Sequence, residues 1–354
     1  VRVLQIVPAL SADGVGSYAQ RLGEALVARG AAADLLAARR GEEASEALER
    51  RTAADLDAAL ERWWDGGGEP AGVLLHYAGY GYQRRGCPVW LVSGAARWLS
   101  RGGGRGLSTF FHEVSAFGPP WRSSFWLSPR QRRLAAALAR ASRGIATSLP
   151  LYRDVLHRWV PRRQIAVLPV FSAVGEPAEV PPLGARSPRL AVFGGAGTRF
   201  RAFHEHGADL AAACRAVGAE EVLDIGPPGA DAPASVAGRP VRRLGRLPAP
   251  EVAAQLLGSR AGFLAYPPAF LPKSTIFAAY CATGVVPVCA AFRRRGNGSN
   301  GLEGHYLPPR TALSLTETEL QAVAGRARAW YLEHSLERQM ESFLRLVFAG
   351  EAAR

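Results

Sequence analysis

The chain has 354 residues, 48% hydrophobic and 21% charged, the composition of an ordinary globular protein long enough for two domains that each bury a core. Its apolar runs are too short to span a bilayer. Cys87, Cys214, Cys281 and Cys289 show no C-x-x-C spacing, so a zinc site or a disulfide framework is not expected and buried free thiols are. The formal net charge of +13 favours phosphate-bearing partners: nucleic acid, anionic lipid headgroups or a charged substrate. Of the 43 lysines and arginines only one, Lys273, is a lysine. Either a compact ammonium is needed there in place of a guanidinium fork, or it survives by chance in an arginine-biased chain.

Residues 3–9 are a Val/Leu/Ile run that reads as a buried parallel strand. A glycine turn follows, then a helix with Tyr18, Leu22, Ala25 and Leu26 on one face, ended by Gly30. "ADLLAA" reads as a second strand, "EEASEALERRTAADLDAALERWW" as a charged amphipathic helix, "AGVLLHY" as a third strand and "LSTFFHE" as a later one. "PRQRRLAAALARAS" reads as a helix opened by Pro129, followed by the strand "GIATS" and by "RQIAVLPV", which closes this half. Strands alternating with helices predict a doubly wound parallel sheet.

Residues 173–188 are rich in Pro and Gly and read as an interdomain linker. The pattern then restarts. "PRLAVFGG" is a strand, "GGAGTR" a glycine turn, and a helix runs to Gly218. "EVLDIG", "VRRLGR" and "AGFLAYP" are strands, and "EVAAQLLGSR" is a helix between the last two. "STIFAAYCATG" is a helix ended by Gly284, "VVPVCAA" a strand, and Glu317 to Phe348 two long helical segments. The expected fold class is α/β, with two Rossmann-like domains at 1–172 and 189–330 and a C-terminal helical segment at 331–354 that packs back on the first domain. The N-terminus leads straight into this pattern without a signal-like core, which predicts a cytoplasmic protein.

"GVGSYA" spells G-x-G-x-x-A through Gly14, Gly16 and Ala19, with Asp34 twenty residues after Gly14. In a dinucleotide site the first glycine ends the strand and the acid ends the next strand. Here Pro8 to Asp13 intervene and Asp34 falls near the start or middle of its strand, so nicotinamide binding is not the favoured reading. A glycine loop at the C-terminal edge of a parallel sheet remains, open to a ligand's close approach or serving as a plain turn.

"GVGSYAQRLGEALVARG", "FFHE", "RQIAVLPVF", "LAVFGGAGTRF", "AGFLAYPPAFLPKSTIFAAYCATGVVPV" and "RARAWYLEHSLERQMESFLRL" together resemble GT-B glycosyltransferases, in particular family 4, over nearly the whole chain. The resemblance implies two domains facing across a cleft and an activated sugar nucleotide, UDP- or GDP-linked, whose diphosphate is held by the second domain's loop and by basic side chains. Gly194, Gly195, Gly197 and Arg199 would present N–H groups and a guanidinium to that phosphate; the alternative is a turn with a surface arginine. Lys273, Ser274 and Thr275 open a helix whose dipole adds positive charge, and Lys273 would neutralise the leaving nucleoside diphosphate. Gly14 and Gly16 form the matching loop of the first domain. The family also expects two glutamates eight positions apart; their places fall near Leu271 and Ala279, neither acidic.

By the same resemblance His112 contacts the sugar or its acceptor, and Glu113 serves as base for an acceptor hydroxyl; a histidine satisfied by backbone is the other reading. Asp55-Leu56-Asp57 matches the metal motif of the other glycosyltransferase fold but lies within a helix, where a solvated face is expected, and no metal is predicted. Phe117, Trp121, Arg122, Phe125 and Trp126, with Arg130, Arg132 and Arg133 nearby, suit a membrane interface or a lipid-linked acceptor, an aromatic platform for a sugar, or a loop packed on the core by its rings. Nucleic acid is not an expected partner.

The expectation is a metal-independent, configuration-retaining sugar transferase without a cofactor. It would pass a sugar from a nucleotide donor to a hydroxyl on a glycan or lipid-linked acceptor in bacterial polysaccharide or glycolipid assembly, peripheral at the inner membrane face. A non-catalytic binding protein and a sugar-nucleotide epimerase of the same architecture are the alternatives.

Overall fold

The computed structural model describes residues 1–10, 14–39, 46–67, 70–116, 121, 123–290, 292, 301–309 and 315–348. The chain divides into two compact units, Val1–Pro169 with Leu336–Arg354, and Val170–Ser335. Residues 173–188 thus belong to the second unit.

The first unit runs β1 (Arg2–Val7), α1 (Val15–Ala28), β2 (Ala32–Ala37), β3 (Glu46–Ala47), α2 (Ala53–Asp65), β4 (Ala71–Tyr77), α3 (Gly79–Tyr82), α4 (Val89–Ser100), β5 (Leu107–Phe111), α5 (Ser123–Ala141), β6 (Ile145–Thr147), α6 (Pro150–His157) and β7 (Ala166–Val167). The strands form one sheet in the order β3-β2-β1-β4-β5-β6-β7, and every pair is parallel. β1 and β4 are adjacent, so the strand order reverses there, and ligands of open α/β sheets collect at such a point.

The second unit runs β8 (Ser187–Phe193), α7 (Ala196–Phe200), α8 (Gly207–Ala216), β9 (Glu221–Ile225), β10 (Ser235–Val236), β11 (Arg239–Gly245), α9 (Ala249–Leu257), β12 (Ser259–Leu264), α10 (Thr275–Ala282), β13 (Val286–Cys289) and α11 (Glu317–Leu332). Its sheet order is β10-β11-β9-β8-β12-β13, parallel except for the edge pair β10–β11. The reversal point lies between β8 and β12. Tyr280 of α10 clamps it: its hydroxyl donates to the Ala191 and Phe263 carbonyls, each at 3.1 Å. Both units are therefore Rossmann-like α/β domains, as the strand–turn–helix pattern predicts.

The last helix, α12 (Leu336–Val347), belongs to the first unit. Its Phe343 ring meets Phe110 edge-on at 5.2 Å, and Ser108 Oγ donates to the Leu346 carbonyl at 3.0 Å. The fit is close: a Cβ on Gly72 would stand 2.1 Å from Val347 Cγ1.

Several boundaries differ from the sequence reading. The charged segment is not one helix. Glu46–Ala47 pairs with Leu36–Ala37 as β3, and α2 starts only at Ala53, where Thr52 Oγ1 accepts the Asp55 N–H at 3.1 Å. α5 begins at Ser123, so Pro129 sits inside it, and Phe125 and Trp126 lie on a helix rather than a loop. Pro129 has no N–H to give to the preceding turn, so the hydrogen-bond ladder of α5 lacks a donor there. α4 was not expected; Leu91, Ala95 and Trp98 bury one face, and Gly94 lets it approach α2, where a Cβ would meet the Ala53 carbonyl at 2.9 Å. α6 was also unexpected. The helix after β8 is broken into α7, a π-helical turn at Arg201–Glu205 and α8. Asp57 is not on a solvated face: it is buried, and Arg101 donates to both its oxygens at 3.2 and 2.8 Å. All four cysteines are free and buried.

Candidate functional site

The residues singled out in the second domain gather at its reversal point. Gly194 follows directly after β8, with a φ of +130° that only glycine adopts freely. A Cβ on Gly194 would stand 2.5 Å from Ile276 Cδ1. The turn after β8 is therefore in contact with the first turn of α10, which follows β12. Gly195 caps α7 and Gly197 lies in it, both with open space where a side chain would be.

Lys273 ends a 3₁₀ segment, Pro268–Lys273, directly before α10. It is half-buried, with Nζ 6.0 Å from the centroid of the Phe270 ring. Ser274 is the cap of α10, its Oγ accepting the Phe277 N–H at 3.2 Å; Thr275 is the first helical residue. The opposite end of α10 holds two guanidinium groups. Arg186 donates to the Thr283 carbonyl at 3.1 Å, and Arg328 donates to the Ala282 carbonyl. Burial, with Arg328 nearby, lowers the Arg186 pKa to about 10. Cations at a helix C-terminus suit the dipole, whereas a cation at the N-terminus opposes it by about 0.3–1 kcal/mol. Lys273 thus adds positive charge at the end of α10 that is already positive.

Arg199 does not stand as a surface arginine beside this turn. It is 2% exposed, and its guanidinium is committed: Nε donates to the Gly194 carbonyl at 2.9 Å, Nη1 to Asp224 Oδ1 at 2.5 Å, and Nη2 to the Pro227 carbonyl. It ties the end of β8 to the end of β9. Gly226 completes the join, since a Cβ there would lie 2.1 Å from the Gly194 carbonyl oxygen. Beside this brace opens a cavity of about 510 Å³ over the C-terminal ends of β9 and β11, lined by Arg199, Asp224, Gly226, Pro227, Arg243 and Gly245 among others. Leu271 and Ala279, the places where the resemblance expects glutamates, are fully buried.

In the first domain His112 and Glu113 follow β5, and both donate their backbone N–H to the Tyr77 carbonyl, at 3.0 and 3.3 Å. His112 is buried and Glu113 half-buried. His112 Nε2 lies 3.1 Å from Nδ1 of His76 on β4, and His76 Nε2 lies 2.9 Å from Oε1 of Gln5 on β1. Tyr18 of α1 closes the cluster; its ring stacks on Phe110 at 5.7 Å and meets His112 edge-on at 5.3 Å, and its hydroxyl donates to Gln339 Oε1. Gln5 and His76 were not singled out from the sequence. The available signal was a polar residue in the interior of each apolar strand, Gln5 in "RVLQIV" and His76 in "AGVLLHY", because a buried polar side chain needs a partner.

Burial pushes the His76 pKa from 6.5 down to about 3. Between those values the unfolded chain binds a proton that the native domain refuses, so stability rises with pH through this window. We expect the first domain to lose stability as pH falls below about 6.5, with a slope approaching ~1.4 kcal/mol per pH unit from this one group. Urea titrations at pH 7 and pH 5, followed by tryptophan fluorescence, measure it, and His76→Asn should flatten the dependence. His334 of the second domain, lowered by burial to about 4, acts with the same sign.

Gly14 caps α1 at φ +88° with open space around it, and Gly16 is buried in the first turn of that helix. Asp34, the third residue of β2, accepts Trp63 Nε1–H at 2.7 Å, so it carries a structural contact at the wrong end of its strand for a ribose. Trp121, Phe125 and Trp126 are 83%, 42% and 72% exposed, which overturns the reading in which these rings pack on the core. Arg130, Arg132 and Arg133 of α5 are exposed beside them. Phe117 and Arg122 lie outside the described residues. Among the described residues no group of three or more His, Cys, Asp or Glu side chains could hold a metal ion, and no helix is long and apolar enough to cross a membrane.

No protein-family model matches the chain, and no curated protein matches it. Solved structures do. An α,α-trehalose-phosphate synthase (UDP-forming) from Burkholderia vietnamiensis aligns with a TM-score of 0.63 at 14% identity, over 99% of this chain and 98% of that one. A glycosyltransferase from Rickettsia africae aligns at 0.60 and 11% identity, over 100% and 99%. An α-glucosyltransferase in complex with UDP aligns at 0.54 and 11% identity, over 98% and 95%. At these identities the likeness establishes the fold: two Rossmann-like domains of the kind that GT-B glycosyltransferases carry.

Proposed function

We propose that the chain is a glycosyltransferase whose second domain binds a nucleotide-sugar donor. The observation that carries this reading is the meeting of the Gly194 turn with the first turn of α10 at the reversal point of the sheet, headed by Lys273, the chain's one lysine. Two loops at a reversal point, one rich in glycine and one led by a cation before a helix, form an anion site of the size of a diphosphate. The cavity of about 510 Å³ over β9 and β11 is large enough for the attached nucleoside. Fold likeness to proteins whose names carry UDP supports this chemistry for the ligand.

In this reading Arg199 shapes the site instead of touching the phosphate, Gly194, Gly195 and Gly197 leave the backbone open to it, and Lys273 neutralises the nucleoside diphosphate as the glycosidic bond breaks. The transfer needs no metal, and it retains configuration. His112 and Glu113 serve the sugar or the acceptor hydroxyl in the first domain. Calorimetry with UDP and GDP, followed by assay of UDP- and GDP-sugars for transfer, tests the proposal, and NMR of the product reads its stereochemistry. Failure of both diphosphates to bind overturns it. Leu271 and Ala279, apolar where carboxylates are expected, favour a second reading, nucleotide binding without turnover; it predicts tight diphosphate binding and no release from any donor.

The exposed Trp121, Phe125 and Trp126 with the arginines of α5 support contact with an anionic membrane and a lipid-linked acceptor. We expect the protein to sediment with vesicles containing phosphatidylserine or cardiolipin, and Trp121→Ala with Trp126→Ala to weaken this binding about tenfold or more. Equal sedimentation of wild type and variant would remove the membrane contact.

A further inference from the structure

The buried row Gln5–His76–His112 admits one direction of hydrogen bonding. Gln5 Nε2 donates to the Ala19 carbonyl at 2.9 Å, which turns its Oε1 toward His76 Nε2 at 2.9 Å. Flipping the amide would set two carbonyl oxygens against each other, so the orientation is fixed by its partners. An amide oxygen only accepts, so His76 Nε2 carries a hydrogen. His76 is fully buried, and with its pKa near 3 it is neutral at physiological pH; its one proton is therefore on Nε2, and Nδ1 is an acceptor. The atom facing that acceptor at 3.1 Å is His112 Nε2, which must donate.

We propose that Gln5 and His76 are positioning residues that hold His112 as its Nε2–H tautomer, so that Nδ1 is the ring atom with the lone pair. The other nitrogen of a histidine is commonly set by such a partner. A group that meets Nδ1 is then a donor, and the chemistry that fits is a sugar or acceptor hydroxyl rather than a phosphate oxygen. This last step rests on the proposed transferase reading. The tautomer itself does not.

The test is long-range 1H–15N correlation on protein labelled with 15N-histidine, at pH 7.5, with the His112 signals assigned by their loss in His112→Gln. The expected pattern for His112 is a protonated Nε2 and a bare Nδ1. A protonated Nδ1 in the wild type, alone or as imidazolium, overturns the proposal. Gln5→Glu places a carboxylate on His76 Nε2–H and favours imidazolium at His76, whose Nδ1–H then donates to His112; the expected result is inversion of the His112 pattern. A folded Gln5→Glu with an unchanged pattern also overturns it. Should that variant not fold, Gln5→Met, which removes the acceptor, is expected to turn the single tautomer into a mixture, and a pure Nε2–H form there counts against the relay. With an active donor and acceptor pair, Gln5→Met is expected to lower kcat/KM for the acceptor about tenfold, the worth of one hydrogen bond, with nucleoside diphosphate affinity unchanged. If transfer is never seen while the tautomer pattern holds, the transferase reading fails and the relay stands.

Discussion

Replacing Arg199 by alanine is expected to destabilise the second domain by about 3–5 kcal/mol, the cost of leaving one partner of a buried ion pair without the other. Arg199 is 2% exposed and Asp224 5%, and their contact is 2.5 Å long. Without the guanidinium the Asp224 carboxylate stays buried with its charge uncompensated, and the Gly194 and Pro227 carbonyls lose a donor each. Hydrogen exchange of β9 and of the Gly194 turn in a urea series measures the loss. Arg199→Met with Asp224→Leu removes both charges, and because apolar replacement of a whole buried pair is often neutral, the double variant should recover most of the stability. A single variant as stable as wild type but unable to bind nucleoside diphosphate would return Arg199 to the role of phosphate ligand.

Lys273→Ala should leave the fold intact and act on the ligand. The residue is half-buried before α10, and the helix is capped by Ser274 and not by the lysine. One charge-assisted hydrogen bond is worth about 1.5–3 kcal/mol, so UDP or GDP affinity is expected to fall roughly tenfold to a hundredfold. Transfer should fall further, by about 10²–10³ in kcat, because charge on the leaving diphosphate grows as the sugar departs. Lys273→Arg is not expected to restore it, since a planar fork replaces a point charge. Calorimetry and steady-state assay separate the two effects. Unchanged affinity for both diphosphates in Lys273→Ala would exclude this residue from the site.

Both predictions depend on partners that local sequence does not announce. "PRLAVFGG" and "AGFLAYP" read as strands because their apolar runs stand between turn residues, and such periodicity survives any tertiary arrangement. The same holds for the glycine turn after the first of them and for the helix that follows Lys273. The segmentation into two α/β domains was legible for that reason, whereas the split of the segment before α2 was missed because the pairing of β3 and the Thr52 cap, not periodicity, set it.

The sequence alone determined the two Rossmann-like halves, the Gly194 turn and the placing of the one lysine before a helix, all consequences of short-range pattern and backbone preference. Tertiary structure decided which strands are neighbours, and hence that β8 and β12 bring the Gly194 turn against Ile276. It also decided that Arg199 serves Asp224, 25 residues away, and that Gln5, His76 and His112 share one buried row, the first two being 71 positions apart. An arginine has the same chemistry whether it meets a phosphate or a carboxylate. Which one it meets is settled by burial and by the chain that folds against it.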